Sequence, residues 1–333
     1  MHAHASQVDW GLVYLASGVT TIRDLGGDNT FLVAMRAAIR SGEVLGPRYL
    51  LAGLVDGPGP RAFGGVTAAT PDEGRAVLRK YHEQGFEQIK IYSLVAPDVV
   101  KAIVAEAHAR GMTVTGHVPG GMTAQSAVEG GFDSLAHMQL RGEPGSDASN
   151  TQIAFFKKYG TVMDPTTSWN ELGGRPASVP LETFLPGASG LPLPLKRMFD
   201  SMPGSATEPA AWRARLVESA RLLKRAVDAG LLVVAGTDKG VPGLSLPREL
   251  ELYVEGGMTP LQAIQTATIL PARAMKLDKE LGTIEVGKRA DLVVLDADPL
   301  AKISNVRLVR WVLANGRMND AATLWRTAGF TPR

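Results

Sequence analysis

Apolar residues along this chain fall into two alternating patterns. One is the three-and-four spacing of amphipathic helices; the other is short β-branched or aliphatic runs that end in glycine or a polar group. Val8, Leu12, Leu15 and Ala16 give a helix over Gln7 to Ser17 that stops at Gly18. Val19 to Ile22 follows as a strand leading into Arg23-Asp24-Leu25-Gly26-Gly27. The pattern then predicts a helix over about 30 to 41, a strand from Arg48 to Val55, and a Gly/Pro-rich loop from Asp56 to Gly65. A helix from Pro71 to Gly85, a strand from Gln88 to Tyr92 and a helix from Pro97 to Arg110 come next. Met112 to Gly116 is a strand delivering His117, Thr123 to Glu129 a short helix, and Phe132 to Ala136 a strand delivering His137. A helix over about 150 to 159 precedes the strand Thr161 to Asp164.

Pro165 to Pro209 is rich in Pro, Gly and Ser, with little periodicity, and is expected to be a long functional loop. A strong helix, Ala210 to Ala229, leads to the strand Leu231 to Ala235 and to Gly236-Thr237-Asp238. Helices over Pro247 to Glu255 and Pro260 to Ala267 follow. Strands alternating with helices imply right-handed βαβ units and a parallel sheet. With an opening strand at His2-Ala3-His4 the count is eight, so the expected fold is an α/β (β/α)8 TIM-like barrel over residues 1–275.

Near 280 the texture changes. Gly282 to Lys288, Ala290 to Asp296 and Val309 to Gly316 read as short strands, with Asn315-Gly316 as a hairpin-type turn. This small, incomplete C-terminal β-sandwich unit (276–320, before a tail over 321–333) has too few strands to cover both faces. A partner sheet is expected from residues before Met1.

Composition narrows the chemistry. The 333 residues carry 35 Lys plus Arg against 33 Asp plus Glu, dispersed, with no basic run that fits a nucleic-acid groove. Cysteine is absent, so a metal must be held by histidine, carboxylate or modified side chains. No apolar run reaches the roughly 18 residues of a transmembrane span. A cytoplasmic location is expected, or a periplasmic or secreted one if a signal segment precedes the chain.

In a barrel of this type reactive groups sit at the C-terminal ends of the strands. Strand one gives His2 and His4, which share a face because strand side chains alternate. Strand four gives Lys90, turned inward while Ile89 and Ile91 face outward; strands five, six and eight give His117, His137 and Asp238. Each has a structural alternative, such as a loop hydrogen bond for a histidine or an N-cap for Asp238. An inward lysine is harder to place, since a buried ammonium must be paired or lose its charge. His82 and His108 fall on solvated helix faces and are given no role. Imidazole and carboxylate donors suit zinc and neighbouring transition metals.

The order His-x-His, Lys, His, His, Asp resembles the amidohydrolase superfamily of metal-dependent hydrolases. Gly257-Met258-Thr259-Pro260, Pro271-Ala272 and Gly282 to Leu295 are similar to its closing helices and returning sandwich. Gly18 to Asp24 and Gly116-His117-Val118-Pro119 resemble its imidazolonepropionase-like and Xaa-Pro dipeptidase-like branch. The family's usual N-terminal sandwich segment before His-x-His has no counterpart in this chain. The resemblance implies one or two zinc or other divalent ions. His2, His4 and Asp238 would hold one, His117 and His137 the other, and a Lys90 carboxylated by CO2 would bridge them.

It further implies hydrolysis of an amide C–N bond in a small substrate, such as an Xaa-Pro dipeptide or an N-acyl amino acid. Asp238 would serve as base and then acid, and Tyr92 would donate to the oxyanion or to a substrate carboxylate. A cyclic-amide hydrolase or deaminase, and a catalytically inactive barrel, are the alternatives. Arg61, Arg141 and Arg175 are candidates to clamp a carboxylate, Trp169 and Phe184 to close over an apolar side chain. A homo-oligomer is expected.

Overall fold

In the computed structural model, which describes residues 2–202, 204 and 208–331, eight parallel strands follow one another around one sheet in sequence order. They are β1 (His2–Ala3), β2 (Thr21–Asp24), β3 (Arg48–Val55), β4 (Gln88–Ile91), β5 (Thr113–Gly116), β6 (Ser134–Ala136), β7 (Val162–Asp164) and β8 (Leu232–Val233). The sheet curls until its ends meet. Ala3 bridges Asp238 in parallel, and the His2 carbonyl accepts from the amides of Thr237 (2.8 Å) and Asp238 (3.1 Å). Met1, positions 203 and 205–207 of the long Pro/Gly-rich stretch, and positions 332–333 of the tail lie outside the described residues.

Helices α1 (Val8–Ala16), α2 (Asn29–Ser41), α3 (Pro71–Glu83), α4 (Pro97–Ala109), α5 (Ala124–Glu129) and α6 (Asp147–Lys158) connect the first seven strands. Their starts are written locally. Asp28 accepts from the Phe31 amide to open α2, and Thr70 from the Glu73 amide to open α3, with Pro71 preset for the first turn. Ile89 and Ile91 join the main core with Leu78, Val99 and Ile103 on the outer side of the sheet.

The barrel interior, by contrast, is polar. Arg23 donates to Gln88 (3.2 Å) and to Asp164 (2.6 Å), and the Ser134 hydroxyl donates to Thr115 (2.7 Å). All of these, with Lys90, are buried.

Two sequence expectations change. The stretch 165–209 is not one irregular loop: it holds α7 (Thr167–Gly174), two short 3-10 turns and α8 (Leu193–Asp200). Prolines 176, 180, 186 and 192 cut it into pieces too short to show a period. Its apolar side chains, Leu172, Leu181, Phe184, Leu185 and Phe199, pack with Trp212 of α9 (Pro209–Asp228) into a second core. Gly282 to Lys288 is not a strand either. Ile284 and Val286 stand exposed, because no neighbouring strand among the described residues uses their alternation.

After α10 (Ser245–Glu255), α11 (Pro260–Ala267) and α12 (Ile269–Ala274), a separate antiparallel sheet runs β11-β10-β9. It is formed by β9 (Leu292–Leu295), β10 (Val309–Ala314) and β11 (Arg317–Asp320), the last two joined by the expected Asn315-Gly316 turn. Val312 and Ala314 pack on Leu15 and Ala16 of α1 and on Leu324 of α13 (Ala321–Thr327). Among the described residues no helix is long and apolar enough to cross a membrane.

Arg23 and Asp164 are buried partners, and removing one strands the other. Arg23→Met should therefore lower stability by about 3–5 kcal/mol in urea unfolding. A loss below about 1 kcal/mol would show that the pair is not what keeps the interior together.

Candidate metal centre

At the C-terminal mouth of the barrel the structure brings together all six donors singled out in the sequence: His2, His4, Lys90, His117, His137 and Asp238. Their reactive atoms face one another. His4 Nε2 lies 2.9 Å from Asp238 Oδ1 and 3.3 Å from His2 Nε2; Lys90 Nζ lies 3.4 Å from His2 Nε2. His137 Nε2 lies 2.9 Å from His117 Nε2 and 3.6 Å from the second Asp238 oxygen. Among His2 Nε2, His4 Nε2 and Asp238 Oδ1 the separations are 3.3, 3.5 and 2.9 Å, close to those of ligands around one tetrahedral cation with bonds of about 2.0–2.2 Å.

Hydrogen bonds on the far ring nitrogens fix how these imidazoles point. His4 Nδ1 sits 2.6 Å from the Gly26 carbonyl, which can only accept, so Nδ1 carries the hydrogen. That leaves His4 Nε2 and the Asp238 carboxylate, two acceptors, facing each other, and a proton or a metal ion must lie between them. Asp24 makes this possible by accepting from the amides of Ala5 (2.7 Å) and Gly26 (2.9 Å), so it grips both ends of the His4 contact. His137 Nδ1 meets the Thr166 hydroxyl at 2.8 Å and His117 Nδ1 meets the Ser93 hydroxyl at 3.1 Å. Outer hydrogen bonds of this kind orient metal-binding histidines. His2 Nδ1, 3.6 Å from Asp164, is buried without a hydrogen bond.

The electrostatics favour donors. Burial first, then the Lys90 charge, takes His117 down to about 3; burial also takes His137 down to about 4. His2 falls well below the ordinary imidazole range for the same leading reason. Burial pulls Lys90 down to about 8 against the opposing charges of Asp238 and Asp164. Burial alone would raise Asp238, but the His4 contact and the charges of His4, Lys90 and His137 outweigh it and hold the carboxyl at about 2. Near neutral pH the mouth thus presents three unprotonated imidazoles, one carboxylate and an amine close to losing its charge.

The backbone is bent to suit. His137 (φ 65°), Thr166 (φ 47°) and Asp238 (φ 50°) all take left-handed conformations, which cost non-glycine residues about 1–3 kcal/mol each. Gly236 is required by contact: a Cβ there would come within 2.0 Å of an Asp164 oxygen and 2.6 Å of His2 Cβ.

Tyr92, half-buried, packs its ring 4.0 Å from that of His117 and stacks on Phe63 at 4.8 Å. Burial raises its hydroxyl above the ordinary range, so it remains a proton donor. The remaining candidates lie elsewhere. Arg175 is buried and donates to the Val179 and Phe199 carbonyls; Arg141 bonds carbonyls of its own loop, at Met138 and Leu140. Arg61 is exposed on the loop after β3. Trp169 and Phe184 pack in the second core. His82 is exposed, and His108 pairs with Asp133 at 3.0 Å on the surface.

Three buried carboxylates at strand ends were given no role from the sequence: Asp24, Asp56 and Asp164 end strands β2, β3 and β7 or follow them directly. The strand-end position that singled out the histidines marks them too. Asp56 accepts from the amides of Gly57 (2.8 Å), Phe63 (2.8 Å) and Leu94 (2.7 Å), which pins the loop carrying Phe63.

Residues 14–318 match the amidohydrolase family. The chain belongs to that family. Family members generally use divalent metals, which the donor set above is suited to hold. The ochratoxinase of Aspergillus niger is 26% identical over 333 residues, covering 87% of this chain and 62% of that protein. The chain thus spans less than two thirds of the length of this curated relative. An imidazolonepropionase of Geobacillus sp. (strain WCH70) is 40% identical over 85 residues, 24% of this chain and 20% of that protein. Among solved structures, an Xaa-Pro dipeptidase with bound methionine superposes with a TM-score of 0.71 at 22% identity. That match covers 96% of this chain and 85% of the other, and it shows the same fold.

Because Thr166 holds His137 by its far nitrogen, Thr166→Val should lower zinc affinity about 10- to 100-fold in a chelator competition. Unchanged affinity would mean that His137 is oriented by packing alone.

Proposed function

We propose that this amidohydrolase-family chain hydrolyses an amide C–N bond in a small substrate, such as a dipeptide or an N-acyl amino acid. The observation that carries the reading is the convergence of His2, His4, Lys90, His117, His137 and Asp238 at one mouth, with His4 Nε2 2.9 Å from an Asp238 oxygen and His137 Nε2 2.9 Å from His117 Nε2. His2, His4 and Asp238 would hold one divalent ion, zinc being the choice that imidazole and carboxylate favour, and His117 and His137 a second. Ions bound there would lower the pKa of a coordinated water toward about 7 and polarise the substrate carbonyl.

The chain's own groups do the rest. Lys90, as a carbamate formed when its neutral amine attacks CO2 and loses a proton, would supply the negative charge its buried position lacks. Asp238 takes a proton from the attacking water and delivers it to the leaving nitrogen, so the C–O bond forms as the C–N bond breaks. Tyr92, protonated and beside His117, donates either to the carbonyl oxygen as charge develops on it or to a substrate carboxylate. A cyclic-amide hydrolase is the second reading, favoured by the stretch similar to imidazolonepropionase. Turnover of zinc-loaded protein on a dipeptide library beside ring amides separates the two.

Asp238→Asn should reduce kcat at least about 10²-fold while part of the zinc is retained; near-normal turnover would remove Asp238 as the proton carrier. Lys90→Ala should lose metal, with partial recovery in short carboxylic acids, and full occupancy without them would count against a bridging Lys90. The amine's position near 8 sets a pH sign as well. Only the neutral amine reacts with CO2, so uptake of 13C-bicarbonate into metal-free protein should rise from pH 7 to 9. A flat or falling profile contradicts a carbamate at Lys90.

A further inference from the structure

Beside His4 a cavity of about 370 Å³ opens between the segment after β1, the loop after β3 and helix α8. Its walls are largely apolar, with Trp10, Leu54, Phe63 and Met198 among them, and Lys239 brings the one cationic side chain among its lining residues. This is the size and make-up of a small-molecule recognition pocket: apolar walls with a few placed polar groups. It is continuous with the candidate metal centre through His4, and Lys239 follows Asp238 directly in the chain.

Lys239 is held in an unusual way. Its Nζ lies 4.2 Å over the Phe63 ring, and among the described residues no carboxylate pairs with it. Phe63 stacks on Tyr92, which leans on His117, so one wall of rings runs from a candidate metal ligand to this ammonium. The wall is built rather than incidental, because the Phe63 amide is fixed by buried Asp56. A cation on an aromatic face keeps its charge available on the side turned away from the ring, toward an incoming anion. The long excursion also takes part. Met198 of α8 lines this cavity, whereas Trp169 and Phe184 are turned into the second core.

We infer that this cavity is the specificity pocket of the site, taking a bulky apolar or aromatic side chain of a substrate whose free carboxylate is bound by Lys239. The inference rests on the amide-hydrolase reading and narrows its substrate class to anionic amides with a large apolar side chain. Lys239 is a specificity residue here, and Asp238 remains the proton carrier.

The test compares Ala-Phe with its C-terminal amide on zinc-loaded protein. The wild type should prefer the acid. Lys239→Gln should reduce the ratio of kcat/KM for acid over amide about tenfold or more, chiefly through KM, and Lys239→Arg should restore it. Gly65 lines the cavity and a Cβ there meets nothing within 4 Å, so Gly65→Leu has room to fold. It should depress Ala-Phe hydrolysis relative to Ala-Ala. A ratio untouched by Lys239→Gln overturns the assignment.

Calorimetric binding of 3-phenylpropionate and 3-phenylpropanamide to metal-free protein decides the point independently of turnover. Tighter binding of the acid, lost in Lys239→Gln, supports the pocket; equal binding of both ligands overturns it. If the pocket binds the acid but neither dipeptide is cleaved, the amide-hydrolase reading fails and the pocket stands.

Discussion

A cluster of buried donor side chains gathered at one mouth of the barrel governs this molecule. Water that would solvate four imidazoles, an amine and a carboxylate is largely excluded, and taking such groups out of water is costly unless they are paired. Lys90 does not resolve the problem, since the same burial that depresses the histidines pulls down its own charge. The surrounding structure keeps the arrangement in place. Left-handed backbone at His137, Thr166 and Asp238, the missing side chain at Gly236, and Asp24 gripping two amides around His4 all serve one geometry. Beneath it, the ion pair of Arg23 with Asp164 gives the barrel a polar floor, and the apolar core lies outside the sheet.

Much of this was legible because parallel strands covered by helices produce short apolar runs that end where the chemistry begins. Arg48 to Val55 and Pro71 onward could be read almost to the residue, since a β-branched or aliphatic run and a proline with a threonine cap are local signals. His117 and His137 were legible for the same reason, each standing directly after a strand, and Lys90 by its inward turn between Ile89 and Ile91 in β4. The same position marks Asp24, Asp56 and Asp164, but what they do there was not legible, because their partners are backbone amides or an arginine 141 positions away. No local pattern announces such a partner.

The excursion from 165 to 209 was hidden by its prolines. Each helical piece is too short to display a period, and its order comes from packing on α9. Buried Glu249 adds a contact of the same kind, accepting from the Thr167 and Ser168 amides at the start of α7. The Gly282 to Lys288 segment misled in the opposite direction. Its alternation is real, but alternation specifies a strand only where a neighbour completes the ladder.

The adjacency of Asp238 and Lys239 carries a consequence for how such an enzyme can diversify. Both side chains leave one bent turn, whose first residue has a φ of 50° and whose approach to β1 is set by Gly236. Any shift of that turn moves both groups at once. Changes in preference should therefore accumulate in the opposite walls, near Leu54, Gly65 and Met198, where shape can vary while the shared hinge stays still.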